Sequence, residues 1–237
     1  MPDKSVYSSQ RNPCHGKPVL SVFKWPFQGG LLLLLLLLGL VPGCGRQVEA
    51  SSVKHIKDGG SGPVVVLGDS LSAGVDIPRE ATWVSLVAER LKHKIVNHST
   101  TGLTTAAALP MVKEEVIPLS PRLVVVELGG NDALQRVEQT ATRANLQSII
   151  EQLHGERIPV LLLGVKGGLM SDPYENMYSD LSRKNKTAYI SNILDGLLGH
   201  PELLVDQFHP NAKGHEMMAN RIEPVLKELL EEQGDRS

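Results

Sequence analysis

From Pro63 onward, short β-rich apolar runs alternate with longer stretches whose apolar positions recur at helical spacing. Val64-Val65-Val66-Leu67, Leu123 to Leu128 and Val160 to Leu163 are near-continuous apolar runs, the pattern of strands buried on both faces. Lys94 to Val96 predicts a further short strand. Between these runs, Trp83, Leu86, Val87 and Leu91 predict a helix. Helices are also predicted over Thr104 to Ile117 (with Pro110 as a kink or start), Thr140 to Leu153 and Pro173 to Thr187. The last helix, Ala212 to Glu232, carries Met218, Ile222, Val225 and Leu229 on one face, with Pro224 as a kink. Strands separated by helices argue for an α/β fold built on a parallel sheet with both faces covered. No internal repeat and no second-domain boundary breaks the pattern. Ligands of such sheets gather at the carboxyl ends of the strands. Here the first strand ends at Gly68-Asp69-Ser70 and the second strong one at Gly129-Gly130-Asn131-Asp132.

The first 62 residues do not follow this alternation. Leu31 to Leu38 is an unbroken leucine run, extended by Gly39, Leu40 and Val41. About eleven apolar residues fall short of the roughly 20 that span a bilayer. With Lys17 and Lys24 ahead of it and small residues behind, the run has the parts of an export signal. Leu40-Val41-Pro42-Gly43-Cys44 resembles a lipobox, in which Cys44 would be lipidated and become the first mature residue. Residues 1–43 are therefore expected to be a signal, and residues 44–62, rich in Gly and Ser, a flexible tether. Residues 63–232 form the folded domain, followed by a tail over 233–237. The predicted location is periplasmic or membrane-anchored.

Composition narrows the class. The 237 residues are 41% hydrophobic and 21% charged, with a formal net charge of −2. This is too apolar for a disordered chain and too balanced for a nucleic-acid binder. Two cysteines cannot make a disulfide-dense scaffold. Neither a dinucleotide-binding glycine pattern nor a phosphate-binding loop occurs.

Four places carry candidate chemistry. Ser70, in Gly68-Asp69-Ser70-Leu71-Ser72-Ala73-Gly74, reads either as a nucleophile on a strand-to-helix turn or as a helix N-cap. Ser72 stands where the G-x-S-x-G elbow would have its second glycine. In Asp206-Gln207-Phe208-His209-Pro210-Asn211, a carboxylate three residues before a histidine can orient the ring and leave Nε2 for a hydroxyl. Asn211 reads as the cap of the last helix. A plain surface turn, or a metal set of Asp206, His209 and His215, fits the same residues. Gly102 and Asn131 read as an oxyanion-donating amide and carboxamide, or simply as a turn glycine and a strand-end asparagine.

The order and context of Ser70, Gly102, Asn131 and His209 resemble the four blocks of the SGNH (GDSL) hydrolase superfamily. The resemblance runs from about Val64 to Leu230 and is nearest to the bacterial thioesterase, lysophospholipase and arylesterase (TesA-like) branch. It implies a three-layer α/β/α sandwich with a flavodoxin-like sheet. It also implies an esterase acting on acyl esters or thioesters through an acyl-enzyme, without metal or organic cofactor. Ser70 would be the nucleophile, His209 the general base and Asp206 its orienting acid. The oxyanion would be held by the amides of Ser70 and Gly102 and by Asn131. Leu71, Leu103, Asp132 and Tyr174 are expected at the substrate, and Gly164 to Tyr178 as an acyl-binding wall or lid. His93, His98, His154 and His200 are expected on the surface. The partners expected are a small acyl substrate and, through Cys44, a membrane, with no nucleic acid; the working unit is expected to be a monomer. Two other readings compete: a carbohydrate O-deacetylase with the same triad, and a tethered binding lipoprotein without turnover.

Overall fold

The chain divides into two units, Met1–Gly43 and Cys44–Ser237. A computed structural model of the protein describes residues 49–166 and 173–234, all within the second unit. The signal and Cys44 lie outside the described residues.

Five strands form one sheet: β1 (Val64–Gly68), β2 (Ile95–Ser99), β3 (Leu123–Glu127), β4 (Val160–Leu163) and β5 (Ala188–Ile190). Their order is β2-β1-β3-β4-β5 and every pairing is parallel. This is the flavodoxin-like order, with its switch point between β1 and β3. The helices are α1 (Ser70–Ala73), α2 (Trp83–Leu91), α3 (Thr105–Met111), α4 (Gly130–Leu134), α5 (Gln139–Gly155), α6 (Pro173–Asn185) and α7 (Ala212–Gln233). The strand period of two sorts the core. Val64, Val66, Leu123 and Val125 point to one face, where they meet Trp83 and Val87 of α2 and Met218, Ile222 and Leu226 of α7. Val65, Leu67, Val124 and Val126 point to the other, against Val112, Ile149 and Ile150, Leu153 and Leu181. Three layers result, and because both faces are covered the central strands read as unbroken apolar runs.

Departures from the sequence reading have local causes. β2 continues through Asn97, His98 and Ser99 because it is an edge strand, half-buried throughout, and tolerates polar residues. α6 stops at Asn185, with Lys186 left-handed at φ 56°, and Ala188 then opens the three-residue strand β5. Pro110 lies inside α3, after which a wider turn over Val112–Val116 and a tight one over Ile117–Leu119 continue the helical path.

The expected tether is corrected from Glu49 onward. Ala50, Val53 and Ile56 are buried in the core face shared by α2 and α7, and the Lys54 amide donates to the Lys186 carbonyl at 2.8 Å. Three apolar residues at a spacing of three were masked by the surrounding Ser, Lys and Gly. Replacing a buried isoleucine by alanine costs about 2–5 kcal/mol. Ile56→Ala should therefore lower the unfolding free energy by an amount in that range, seen as a lower denaturant midpoint at unchanged slope; an unchanged midpoint would return this segment to the role of a tether.

Candidate active site

The turn that leaves β1 is shaped by close approach. A side chain at Gly68 would place its Cβ 2.8 Å from Ser72 Oγ and 2.9 Å from Ser99 Oγ. Asp69 then caps α1, its Oδ1 accepting from the Leu71 amide at 2.9 Å. Ser70 becomes the first residue of that helix and is 8% exposed. Its amide has no hydrogen-bond partner among the described residues.

The second half of the site is a turn pinned against the start of α7. Asp206 Oδ1 accepts from the amides of Phe208 and His209, each at 2.8 Å. The Val205 amide donates to the His209 carbonyl at 2.9 Å. Asn211 caps α7 by accepting from the amides of Lys213 and Gly214. At Gly214 a Cβ would lie 2.6 Å from the Leu203 carbonyl and 2.7 Å from Pro210 Cβ, so only glycine lets the turn sit this close. His209 Nδ1 lies 2.6 Å from Asp206 Oδ2, and His209 Nε2 lies 3.0 Å from Ser70 Oγ. With Nδ1 protonated and donating to Asp206, Nε2 is free to accept from the Ser70 hydroxyl. Asp206 is held down to a pKa of about 2 by the His209 side chain first and the two amides next, so it stays ionised.

Trp83 couples the two halves. Its indole Nε1 donates to the Leu71 carbonyl at 3.1 Å, and its amide donates to His215 Nδ1 at 3.1 Å. The Ser70 turn and the first turn of α7 are thus tied through one buried residue.

The remaining predicted donors lie on the adjoining loops. Gly102 sits at φ 82° after β2, with nothing within 4 Å of where a Cβ would stand. Its amide has no partner among the described residues. Asn131 Nδ2 donates to Asp69 Oδ2 at 2.9 Å and to the Leu103 carbonyl at 3.2 Å. It therefore bridges the Ser70 turn to the Gly102 loop. Below it are two groups to which the sequence reading assigned no role. Glu127, fully buried at the end of β3, accepts through Oε2 from the Asp69 amide at 3.2 Å and the Ser72 hydroxyl at 2.8 Å. Burial raises Asp69 to about 6 and pushes Glu127 well above the usual carboxyl range. An acid closing an otherwise apolar buried strand was the available signal.

Several expected contacts are corrected. Asp132 does not face substrate: it is 1% exposed, and its oxygens accept from the Thr105 amide and from the hydroxyls of Thr105 and Thr142. Leu71 and Leu103 are buried in the two core clusters, on opposite sides of the sheet. Tyr174 packs half-buried beside Tyr178. Of the expected wall, residues 167–172 lie outside the described residues, while Met177 and Tyr178 are core, with the Tyr178 hydroxyl donating to the Leu128 carbonyl at 2.7 Å. His154 is buried, not on the surface. His215 is turned into the core toward Trp83 and does not join Asp206 and His209. Among the described residues the exposed large apolar side chains include Leu134, at the end of the helix α4 that carries Asn131, and Val205 and Phe208, on the His209 turn.

Residues 66–217 match the family model described as GDSL-like lipase/acylhydrolase. The chain is 30% identical over 178 residues to the esterase TesA of Pseudomonas aeruginosa, covering 70% of this chain and 89% of that protein. It is 26% identical over 175 residues to thioesterase 1/protease 1/lysophospholipase L1 of Escherichia coli K12, covering 70% and 84%. A crystal structure of TesA superposes with a TM-score of 0.67 at 30% identity, covering 70% of this chain and 98% of that one. The chain belongs to the GDSL-like hydrolase family.

In this GDSL-like hydrolase the first match begins inside β1 and ends inside α7, so it spans both halves of the site. The two buried histidines give the domain an acid sensitivity. Burial lowers His154 and His215 from 6.5 to about 4. Between those values the unfolded chain binds protons that the folded one refuses, so stability is full above the unfolded value and declines as pH falls toward 4. Denaturant titrations across that range should show the decline, and His215→Asn, which keeps an acceptor for the Trp83 amide, should make it shallower. An unchanged slope in the variant would remove His215 as a source.

Proposed function

We propose that the protein is a serine esterase that transfers the acyl group of an ester or thioester to Ser70 and then to water. The observation that carries this reading is the chain of contacts Ser70 Oγ to His209 Nε2 to Asp206, at 3.0 and 2.6 Å. Ser70 attacks the carbonyl carbon as His209 Nε2 takes the hydroxyl proton. The tetrahedral oxygen receives the amides of Ser70 and Gly102, which have no partner among the described residues, and shares the Asn131 hydrogen that the longer Leu103 contact holds. His209, oriented by Asp206, returns the proton to the leaving alcohol or thiol. Water then repeats the sequence on the acyl-enzyme.

Removing a nucleophile of this kind costs at least about 10⁴-fold, and removing one oxyanion donor about 10²–10³-fold. Ser70→Ala should abolish turnover of a p-nitrophenyl acyl ester to that extent, and Asn131→Ala should fall between the two enzymes. Wild-type turnover by Ser70→Ala would discard the mechanism.

For the substrate, the exposed apolar side chains of Leu134, on the helix that carries Asn131, and of Phe208, on the His209 turn, favour an acyl chain over a hydrated sugar. The relatives named for esterase, thioesterase and lysophospholipase activity point the same way. Hydrolysis of p-nitrophenyl esters should rise with acyl length beyond acetate. A flat profile with efficient release of acetate from acetylated sugars would replace this reading by the deacetylase one.

Export with lipid anchoring at Cys44 rests on the leucine run and the lipobox-like segment. The mature protein made in a bacterium should begin at a diacylglyceryl-modified Cys44 in mass spectra. An unmodified amino terminus elsewhere would contradict the anchor.

A further inference from the structure

The buried carboxyl groups beneath Ser70 have a proton inventory that the acyl-transfer reaction does not use. Glu127 is the register partner of Gly68 in the β1–β3 ladder and is fully buried. Its Oε2 has two donors, the Asp69 amide and the Ser72 hydroxyl, while its Oε1 is buried with no hydrogen-bond donor among the described residues. Asp69 is 2% exposed, and each of its oxygens has a donor: Leu71 N on Oδ1 and Asn131 Nδ2 on Oδ2. The two residues are joined directly, Glu127 Oε2 accepting from the Asp69 amide, and both carboxyl groups are enclosed in one buried network with Ser72 and Asn131. Two carboxylates enclosed in one buried network repel each other when both are ionised, and a proton held by one of them removes that repulsion and can be shared with the other.

We propose that Glu127 holds that proton at neutral pH, donates it to the Asp69 carboxylate, and thereby acts as the positioning residue that keeps Asn131 set with its NH₂ group, not its carbonyl, beside the nucleophile. This rests on the acyl-transfer reading given above. The assignment to Glu127 follows from the partners. Asp69 has a donor on each oxygen and feels the His209 ring, so the charge belongs there. Glu127 has an oxygen with none. Besides His209, the titratable group that faces the pair is Tyr178 on α6, which has Asp132 and Tyr174 around it as well. Tyr178 is itself pushed up by burial and by Glu127, Asp69 and Asp132. An ionised Asp69 repels the Asn131 carbonyl oxygen and attracts its NH₂, which fixes the amide orientation. A second charge on Glu127 would lie beneath the oxygen that becomes negative in the reaction and would oppose it.

The role separates from simple packing by chemistry. Glutamine at 127 is neutral at every pH, can donate to Asp69 through its NH₂ and can accept through its oxygen. Glu127→Gln should keep kcat and KM near the wild-type values at neutral pH, and lose the alkaline decline of kcat that deprotonation of Glu127 imposes. Glu127→Ala should lose kcat by about 10–100-fold with KM little changed, the size of a misplacement effect. Equal losses in both variants, or an alkaline limb unchanged in Glu127→Gln, would overturn the proposal.

A direct measurement needs neither variant to fold and does not depend on esterase activity. Infrared spectra of the wild-type protein at pH 7, with and without side-chain ¹³C-carboxyl glutamate, should show the carbonyl stretch of one protonated carboxylic acid that shifts with the label. Absence of such a band would refute the shared proton, whether or not Ser70 proves to be the nucleophile.

Discussion

The contact between Ser70 Oγ and His209 Nε2 joins residues 139 positions apart, and most of the fold exists in a form that lets it close. A parallel sheet sends every strand's carboxyl end to the same edge. β1 releases Ser70 there, β2 the Gly102 loop and β3 the Asn131 turn. α7 then runs along one face, and its first turn brings the 206–209 segment to that edge. The closure depends on small, specific accommodations. Gly68 allows Ser72 and Ser99 to approach, Gly214 allows the Leu203–Pro210 segment to lie on the helix, and Trp83 holds the two halves by its indole and amide hydrogen bonds.

The floor of the site is polar, which is costly in a core unless each group is paired. Asp69, Glu127, Ser72 and Asn131 form one network, and Asp132 with Thr105 and Thr142 a neighbouring one. The second anchors the start of α3 to α4 and so supports the loop that carries Gly102. Burial that would be a liability elsewhere becomes orientation here. Donors fixed in advance do not have to reorganise when the oxyanion forms.

Much of this was legible along the chain. The apolar runs at Val64, Leu123 and Val160 located the three central strands, because strands covered on both faces must be apolar throughout. The Asp206–His209 spacing and the Asn211 cap located the second half of the site, since both are local geometry. What was not legible depends on partners distant in sequence. Asp132 looks like a substrate contact beside Asn131, yet Thr105 and Thr142 absorb it. Ala50, Val53 and Ile56 look like linker residues until α2 and α7 supply a face to cover. Glu127 resembles the solvated end of a strand until β1 and the Ser70 turn enclose it. The buried position of His154 likewise depends on the packing of the 50–58 segment, which no local pattern announced.

The central claim is that Ser70 is a nucleophile activated by His209, and covalent labelling tests it most directly. Treatment with a fluorophosphonate, followed by peptide mass mapping, should place a single adduct on Ser70 in the wild-type protein, and His209→Ala should form that adduct far more slowly. An adduct on another residue, or labelling of Ser70 at the same rate without His209, would contradict the account.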